Sequence, residues 1–204
     1  MAGGFPLLVN GIRILTSEAL YQACRFPHLP EVQHLIIVQK SPMAAKMKSK
    51  PHRGKMRVDW EEEEVNIMRW CLKVKLAQNW DSFSALLLET EGKSIVEQSR
   101  KDAFWGAKPI DDNTLVGMNV LGRLLMELRK SIKTVEKEKF LLVDPLAISD
   151  FLLDGQPIER VDMQNTKNDP SSTMKTGDKE QAKSKSSHPE QLPLFDSPSS
   201  NSKE

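Results

Sequence analysis

The chain has 204 residues, of which 39% are hydrophobic, so it is long enough to form one core of ordinary size with residues left over. Its formal net charge of +1 argues against a whole-surface electrostatic grip on nucleic acid, because that mode of binding needs a strong basic excess. No apolar run approaches the roughly 20 residues that cross a bilayer, and the first residues lack the layout of a signal peptide, so we expect a cytoplasmic protein without membrane contact.

The first predicted elements are a hairpin and two helices. Residues 7–9, the turn Asn10-Gly11 and residues 12–15 have the pattern of two short strands joined by a tight turn. Thr16 precedes a helical segment, and Ser41-Pro42 gives a start signal for a second one, a capping side chain followed by proline.

Two longer helices are predicted from apolar residues at helical spacing. Asp59 precedes the first of them, and acidic residues 61–64 suit the positive end of its dipole. The first apolar stripe consists of Val65, Met68, Leu72, Leu76 and Trp80. The second consists of Leu121, Leu124, Leu125, Leu128, Ile132 and Val135.

Shorter elements complete the predicted fold. Asp81 or Ser82 is expected to cap a short helix that ends near Gly92, and residues 151–153 and 158–161 are expected to pair across the turn Asp154-Gly155. The sequence therefore predicts a mainly α (α+β) class: a compact helical domain with small β-hairpins.

The composition changes at Met163. From there the chain is rich in Ser, Lys, Pro, Asp and Gln, and such a segment cannot offset the entropy cost of becoming ordered. We therefore predict a domain at residues 1–162 and a disordered tail at residues 163–204.

The two cysteines, Cys24 and Cys71, are far apart in the sequence and have no neighbours at zinc-ligand spacing. We interpret them as buried, reduced thiols. We expect no disulfide framework, no metal site and no cofactor.

Five segments of the chain, in order, share the pattern of a known family. They are TSEALYQA at 16–23, SPMAAK at 41–46, Asp59-Trp60, DAFWG at 102–106 and GMNVLGRLLMELR at 117–129. Together they resemble the NADAR family over residues 5–132, and five blocks in the family's order are far more specific than any single motif. The sequence departs from the family pattern at its start and after Lys46, where Lys48-Ser49-Lys50 stands in place of a Gly-Arg pair.

The resemblance implies a compact, mainly helical NADAR domain, and the late hairpin belongs to a small C-terminal appendix at residues 138–162. The resemblance also implies hydrolysis of N-glycosidic bonds, either in early intermediates of riboflavin biosynthesis or in ADP-ribosylated guanine. Neither expectation comes from the composition.

Glu18 and Asp102 are the candidate catalytic residues. Cleavage of a ribosyl–base bond passes through an oxocarbenium-like state, which needs a carboxylate for the sugar cation or the attacking water, and a proton donor for the departing base. By position alone, Glu18 could instead complement its helix dipole and Asp102 could cap a turn. The family motif favours catalysis for Glu18, and the sequence leaves open whether water or a side chain such as Lys46 attacks.

The candidate substrate-binding residues surround these acids in the motifs. Trp60 and Trp105 offer flat faces to a base, a contact worth about 1–3 kcal/mol, although a core position is the alternative for Trp60. Gly106 permits close backbone approach, and Asn119 either orients a ribose hydroxyl or caps a helix. The full set is Tyr21, Gln22, Lys46, Trp60, Trp105, Gly106 and Asn119.

Two further features concern larger partners. The basic residues Lys46, Lys48, Lys50, Arg53, Lys55 and Arg57 form either a solvated loop or a surface that faces phosphates. In the tail, Gln191-Leu192-Pro193-Leu194-Phe195 resembles the bacterial sliding-clamp-binding motif, with Gln191, Leu192, Leu194 and Phe195 as the binding residues.

Three functions fit these observations. The first is removal of ADP-ribose from guanine in DNA, as the repair or antitoxin partner of a DNA-targeting ADP-ribosyltransferase toxin, a pairing that comes from the resemblance alone. The second is hydrolysis of a riboflavin-pathway intermediate. The third is a non-catalytic module that binds ADP-ribosylated DNA. The basic run and the clamp-like motif favour a DNA-linked role.

Overall fold

The structure, a computed structural model, describes residues 4–162, which form six α-helices and eight short strands. The helices are α1 (Ser17–Ala23), α2 (Pro30–Ile37), α3 (Pro42–Ser49), α4 (Trp60–Gln78), α5 (Trp80–Glu89) and α6 (Val120–Thr134). The strands are β1 (Leu7–Val9), β2 (Ile12–Ile14), β3 (Lys108–Pro109), β4 (Leu115–Val116), β5 (Leu142–Val143), β6 (Leu152–Leu153), β7 (Gln156–Pro157) and β8 (Val161–Asp162). The predicted tail and its clamp-like motif lie outside the described residues.

The strands form four separate antiparallel pairs, β1–β2, β3–β4, β5–β8 and β6–β7. In the first pair Leu7 lies opposite Ile14 across the turn Asn10-Gly11, whose two residues both have positive φ, as the tight hairpin requires. The mainly helical α+β prediction with small hairpins is confirmed. No helix within residues 4–162 is long and apolar enough to span a membrane.

The predicted starts of α1 and α3 are confirmed by their capping bonds. The Ala19 N–H donates to Thr16 Oγ1 at 3.1 Å, and the Ala44 N–H donates to Ser41 Oγ at 3.2 Å. These side chains satisfy amide groups that have no partner within the helix.

α2 was missed by the sequence analysis. Its N-cap is Leu29, which offers no polar side chain, so the usual start signal is absent and only Pro30 marks the beginning. The spacing of Val32, Ile36 and Ile37, all buried, was the signal that could have revealed it.

The predicted boundary after α4 was wrong, because Trp80 does not continue the apolar stripe but begins α5. The helical conformation is interrupted at Asn79. Its side-chain amide donates to the carbonyls of Lys75 at 3.2 Å and Pro6 at 3.1 Å. Asn79 thus ends one helix and precedes the next, so neither Asp81 nor Ser82 is the cap.

The late hairpin has a different register from the predicted one. Asp154 and Gly155 both have positive φ and form a two-residue turn, which brings Leu153 opposite Gln156. The second strand is therefore β7, which begins two residues before the predicted segment 158–161. Ile158 still adjoins the hairpin, because its N–H donates to the Phe151 carbonyl at 2.9 Å. Val161 instead pairs with Val143 of β5.

α4 is the centre of the core. It packs against α1, α5 and α6, and it also contacts β1, β5 and β8. Trp70 anchors the C-terminal segment, because its indole N–H donates to the Asp144 carbonyl at 2.9 Å and its ring meets Phe151 edge-on at 4.9 Å. Residues 138–162 thus pack on the helical core.

Lys75 of α4 is buried between two phenyl rings. Its Nζ lies 4.2 Å from the Phe5 ring centroid and 4.1 Å from that of Phe83. Burial disfavours the ammonium form and lowers the pKa of Lys75 to about 8.

We expect Lys75→Met to be more stable than the wild type at pH 7, and expect this advantage to shrink as pH rises from about 8 to 10.5. Over that window the unfolded lysine holds a proton that the folded one has lost, so wild-type stability rises with pH, by up to about 3 kcal/mol. Urea unfolding at several pH values measures the difference. Lys73→Met, an exposed lysine of the same helix, is the control, and the same pH dependence in both variants would contradict the prediction.

Candidate active site

A cavity of about 150 Å³ opens beside α1. This is below the roughly 300–1,000 Å³ of typical ligand pockets, so the cavity has room for a group of the size of one ring but not for a whole dinucleotide. Its lining residues are Glu18, Tyr21, Gln22, Arg25, Lys46, Arg53, Met68, Glu97, Ser99, Asp102, Trp105, Gly106 and Leu121.

One face of α1 and the residues after it supplies the first wall. Glu18, Tyr21 and Gln22 are spaced i, i+3 and i+4, which places them on one side of α1, and Arg25 follows in the turn after the helix. Every residue of α1 is buried except Glu18, which is partly exposed. The helix therefore presents one carboxylate to the cavity from an otherwise packed element.

The Glu18 carboxylate is held by a chain of hydrogen bonds. The Gln22 side-chain amide donates to Glu18 Oε1 at 2.8 Å, and the Ser49 hydroxyl of α3 donates to Gln22 Oε1 at 2.6 Å. Gln22 lines the cavity, but its carbonyl oxygen and one N–H already bond to protein groups. It orients Glu18, whatever else it contacts.

The aromatic residues divide between the cavity and the core. Trp105 lines the cavity and meets Tyr21 edge-on at 5.6 Å. Trp60 is 5% exposed, packs on Tyr21 at 5.1 Å and is not among the lining residues. The structure therefore places Trp60 in the core, the alternative raised from the sequence, and leaves Trp105 as the accessible indole.

Asp102 both lines the cavity and shapes the loop that carries Trp105. Its Oδ1 accepts the backbone N–H groups of Phe104 at 3.0 Å and Trp105 at 2.9 Å. Its own N–H donates to Ser99 Oγ at 3.0 Å. The turn-capping position and the cavity position expected from the sequence therefore occur together.

Asn119 stands at the N-cap position of α6, but its side chain does not make the predicted capping bond. It does not line the cavity either. Instead Nδ2 donates to the Ile95 carbonyl at 2.8 Å and Oδ1 accepts the Glu97 N–H at 3.1 Å. Asn119, with φ at 50°, ties the loop that carries Glu97 to the start of α6.

Gly106 lines the cavity, and its missing side chain also serves the packing of the loop. A Cβ at Gly106 would overlap the Glu97 carbonyl, one at Gly117 the Gly106 carbonyl, and one at Gly122 the Ile95 carbonyl. Three glycines thus let the main chain of residues 95–122 pack against itself. The close approach predicted at Gly106 is made by the protein's own backbone.

The basic run is split by the structure. Lys46 and Arg53 are exposed and lie on the cavity wall, whereas Arg57 is buried and bonds to both carboxylate oxygens of Asp59 at 2.6 and 2.8 Å. This hydrogen bonding lowers the pKa of Asp59 and raises that of Arg57. Arg57 therefore does not face a ligand phosphate, and the Asp59 carboxylate makes no cap bond to α4.

Arg25 is the main site residue that the sequence analysis missed. Its guanidinium lies 4.4 Å from the Trp60 ring centroid and 5.4 Å from that of Tyr21. The signal was its position seven residues after Glu18, which extends the spacing of Tyr21 and Gln22 into the turn that follows α1. Glu97 and Ser99 were also missed, because they belong to an irregular loop without periodicity.

The family model for the NADAR domain matches residues 5–133. The chain belongs to the NADAR family. This confirms the family predicted from the five sequence segments.

Relatives and a solved structure agree with this assignment. The chain is 34% identical to the N-glycosidase YbiA of Escherichia coli (strain K12) over 136 residues, 65% of this chain and 79% of that protein. The NMR structure of E. coli YbiA matches with a TM-score of 0.51 at 33% identity, covering 63% of this chain and 73% of that one.

A further relative is a much longer protein. The riboflavin biosynthesis protein VVA0006 of Vibrio vulnificus is 31% identical over 135 residues, 65% of this chain but only 35% of its own length.

We expect Gly122→Ala to lower the free energy of unfolding by about 1–3 kcal/mol, as overpacking against a rigid neighbour does. Alanine in a helix is otherwise favoured over glycine by about 1 kcal/mol, so the sign of the change reports the contact with the Ile95 carbonyl. Thermal and urea unfolding measure it. Gly92→Ala is the control, since its Cβ would meet nothing within 4 Å. Equal or higher stability of Gly122→Ala would show that the loop yields without cost.

Proposed function

We propose that this NADAR domain is a hydrolase that cleaves the N-glycosidic bond between a ribosyl carbon and a base nitrogen. The observation that carries the proposal is the placement of Glu18, whose carboxylate lines a small cavity and is oriented by Gln22 at 2.8 Å. The name N-glycosidase borne by the E. coli relative supports the same reaction class.

The residues around the cavity suit the charges that this reaction develops. The cavity is lined by three carboxylates and three cations. The carboxylates are Glu18, Glu97 and Asp102, and the cations are Arg25, Lys46 and Arg53. In the proposal the Glu18 carboxylate stabilises the oxocarbenium-like sugar or activates the attacking water, and Asp102 supplies a proton to the departing base. Trp105 offers an indole face beside them.

We further propose that the substrate is ADP-ribosylated guanine in DNA. The cavity holds only the reacting end of such a ligand, so its phosphates must lie outside. Lys46 and Arg53 line that cavity from an exposed basic stretch that continues through Lys48, Lys50 and Lys55. Lysine and arginine side chains are common partners of phosphate, which supports a long, phosphate-bearing substrate.

A second candidate substrate is a ribosyl phosphate of the riboflavin pathway. The names of the Vibrio relative and of the maize riboflavin biosynthesis protein PYRR, 32% identical over 57% of this chain and 19% of its own length, favour it. A small cavity with two nearby cations would also suit a compact sugar phosphate.

The deciding experiment incubates the protein with a guanine-ADP-ribosylated single-stranded oligonucleotide and, in parallel, with a ribosylamino-pyrimidine phosphate. We expect release of ADP-ribose and recovery of unmodified guanine. Chromatography and mass spectrometry detect both products. Cleavage of the small molecule alone would contradict the DNA substrate and support the second candidate, a ribosyl phosphate of the riboflavin pathway. Cleavage of neither would overturn the proposed reaction.

We expect Glu18→Gln to lower turnover at least about a hundredfold, the usual scale for a positioned acid or base. Glutamine keeps the shape of the side chain and an acceptor for Gln22, so the change removes the carboxylate charge rather than the packing. Glu31→Gln is the matched control, because Glu31 is also a first-turn acid but does not line the cavity. Unchanged turnover would remove Glu18 from the mechanism, and retained binding with no turnover in the wild type would identify a non-catalytic module.

We expect deletion of residues 163–204 to leave hydrolysis of a short oligonucleotide unchanged, because the residues proposed to bind and cleave the substrate lie within residues 4–162. We also propose that the segment binds a bacterial sliding clamp, and that an ADP-ribosyltransferase toxin produces the substrate. Clamp binding is measured by surface plasmon resonance for the full chain and for a variant with Leu192, Leu194 and Phe195 changed to Ala. Equal binding by both would contradict the clamp proposal.

A further inference from the structure

A second, larger cleft lies between α4, the end of α6 and the residues that follow α6. Its volume is about 480 Å³, within the roughly 300–1,000 Å³ of typical ligand pockets. Among the described residues, none lines both this cleft and the cavity beside α1. The cleft is therefore a separate site, and what it binds does not depend on the proposed function.

The residues after α6 supply one side of this cleft. Phe140, Leu142 and Leu146 line it, and all three follow residue 133, where the match to the family model ends. Trp70 of α4 also lines the cleft, and its 2.9 Å bond to the Asp144 carbonyl holds this side in place. The cleft is thus built jointly by the NADAR domain and the segment that follows it.

Apolar side chains form the interior of the cleft. Trp70 is buried, and Phe140 and Leu146 are half-buried. Leu142 is 52% exposed, so its side chain is available to a ligand. An adjoining cavity of about 50 Å³, which also borders Phe140, reaches Leu124 of α6. These surfaces favour a ligand with an apolar body, because contact with such a body removes them from water.

The two carboxylates of the cleft are already paired with arginines. Glu127 Oε1 lies 3.4 Å from Arg69 Nε, and Arg69 lines the cleft as well. Asp144 Oδ1 accepts a hydrogen bond from Arg160 Nε at 2.5 Å. These two ion pairs neutralise the negative charge of the cleft.

Two lysines give the cleft an excess of positive charge. Lys73 of α4 and Lys139 both line it and are exposed. Neither forms an ion pair with another residue in the described part of the chain. An ammonium group beside apolar surface attracts an anion more strongly than one in open water, because less water screens its charge. The cleft therefore complements a negatively charged ligand.

We infer that this cleft binds a small organic anion with an apolar body, such as an aromatic carboxylate or sulfonate. The apolar body contacts Trp70 and Phe140, and the anionic group lies toward the ammonium groups of Lys73 and Lys139. An inorganic anion would leave the apolar surface in water, and a neutral hydrocarbon would leave both lysines unpaired. Neither of those ligands fits the whole site.

The test compares 1-anilinonaphthalene-8-sulfonate with N-phenyl-1-naphthylamine, which has the same rings without the sulfonate. Each probe is titrated into the isotope-labelled full chain, and the indole N–H signals of the four tryptophans are followed by NMR. We expect the Trp70 signal to shift and saturate with the sulfonate, while the Trp105 signal beside α1 stays unchanged. The sulfonate should bind at least about fivefold tighter than the neutral probe, and this preference should fall with added salt.

A double variant tests the lysines. Lys73→Gln with Lys139→Gln removes both charges and keeps long polar side chains. We expect it to reduce the preference for the sulfonate to within about twofold and to leave the affinity for the neutral probe unchanged. Lys130→Gln with Lys133→Gln is the matched control, because both lysines are exposed on α6 and neither lines the cleft.

A second variant tests the apolar surface. Leu142→Ser is expected to weaken the binding of both probes by at least about threefold, because it removes apolar contact area. Ile110→Ser is the control, since Ile110 is 66% exposed and does not line the cleft. If Leu142→Ser does not fold, the lysine variant alone decides.

Three results would overturn the inference: an unchanged Trp70 signal, equal affinity of the wild type for the two probes, or a preference that persists without Lys73 and Lys139. A Trp70 signal that moves on dilution of the protein without a probe would identify a second copy of the chain as the occupant, which also overturns it. Hydrolysis is not a readout here, so failure of the proposed reaction leaves this inference standing.

Discussion

The site depends on the burial of α1. Six of the seven residues of this helix are buried. Polar groups in such a helix are shielded from water, so they need hydrogen-bond partners within the protein. Thr16 caps the first turn, and Gln22 bonds to both Glu18 and Ser49. Packing therefore fixes the position of Glu18, so little rearrangement is needed before a ligand meets the carboxylate.

The opposite wall is built in another way. Residues 95–107 contain almost no regular structure, and backbone bonds such as Ser99 N–H to the Ala107 carbonyl at 2.9 Å and Ala107 N–H to the Glu97 carbonyl at 2.8 Å hold them. The Asp102 carboxylate and the Asn119 side-chain amide tie this loop to itself and to α6. A packed helix and a loop held mainly by its own backbone thus face each other across the cavity.

Much of the fold could be predicted because its signals are local. The Asn10-Gly11 turn, the caps Thr16 and Ser41 and the apolar stripes of α4 and α6 each depend on residues within a few turns of one another. The boundary at Asn79 could not be predicted, because it depends on a contact with the Pro6 carbonyl, distant in the sequence. Asp59 was expected to cap α4, but its partner is Arg57, which also bonds the distant Ser149 carbonyl.

The grouping of site residues lay beyond local reasoning for a similar reason. Glu18, Lys46 and Trp105 come from a helix, a second helix and a loop, and no periodicity brings such segments together. The family resemblance supplied that information. The resemblance gave no guidance for Arg25. Its spacing from Glu18 was visible in the sequence, but nothing in the sequence indicated that a cavity lies on that side.

The glycine contacts have an evolutionary consequence. Gly106, Gly117 and Gly122 meet main-chain carbonyls, which are present whatever side chains the loop has, so a change at one of these glycines cannot be rescued by a smaller neighbour. The exposed turn between β3 and β4, residues 110–114, has no such constraint. Descendants of this chain can therefore lengthen that exposed turn, while the cavity wall at Gly106 keeps its shape.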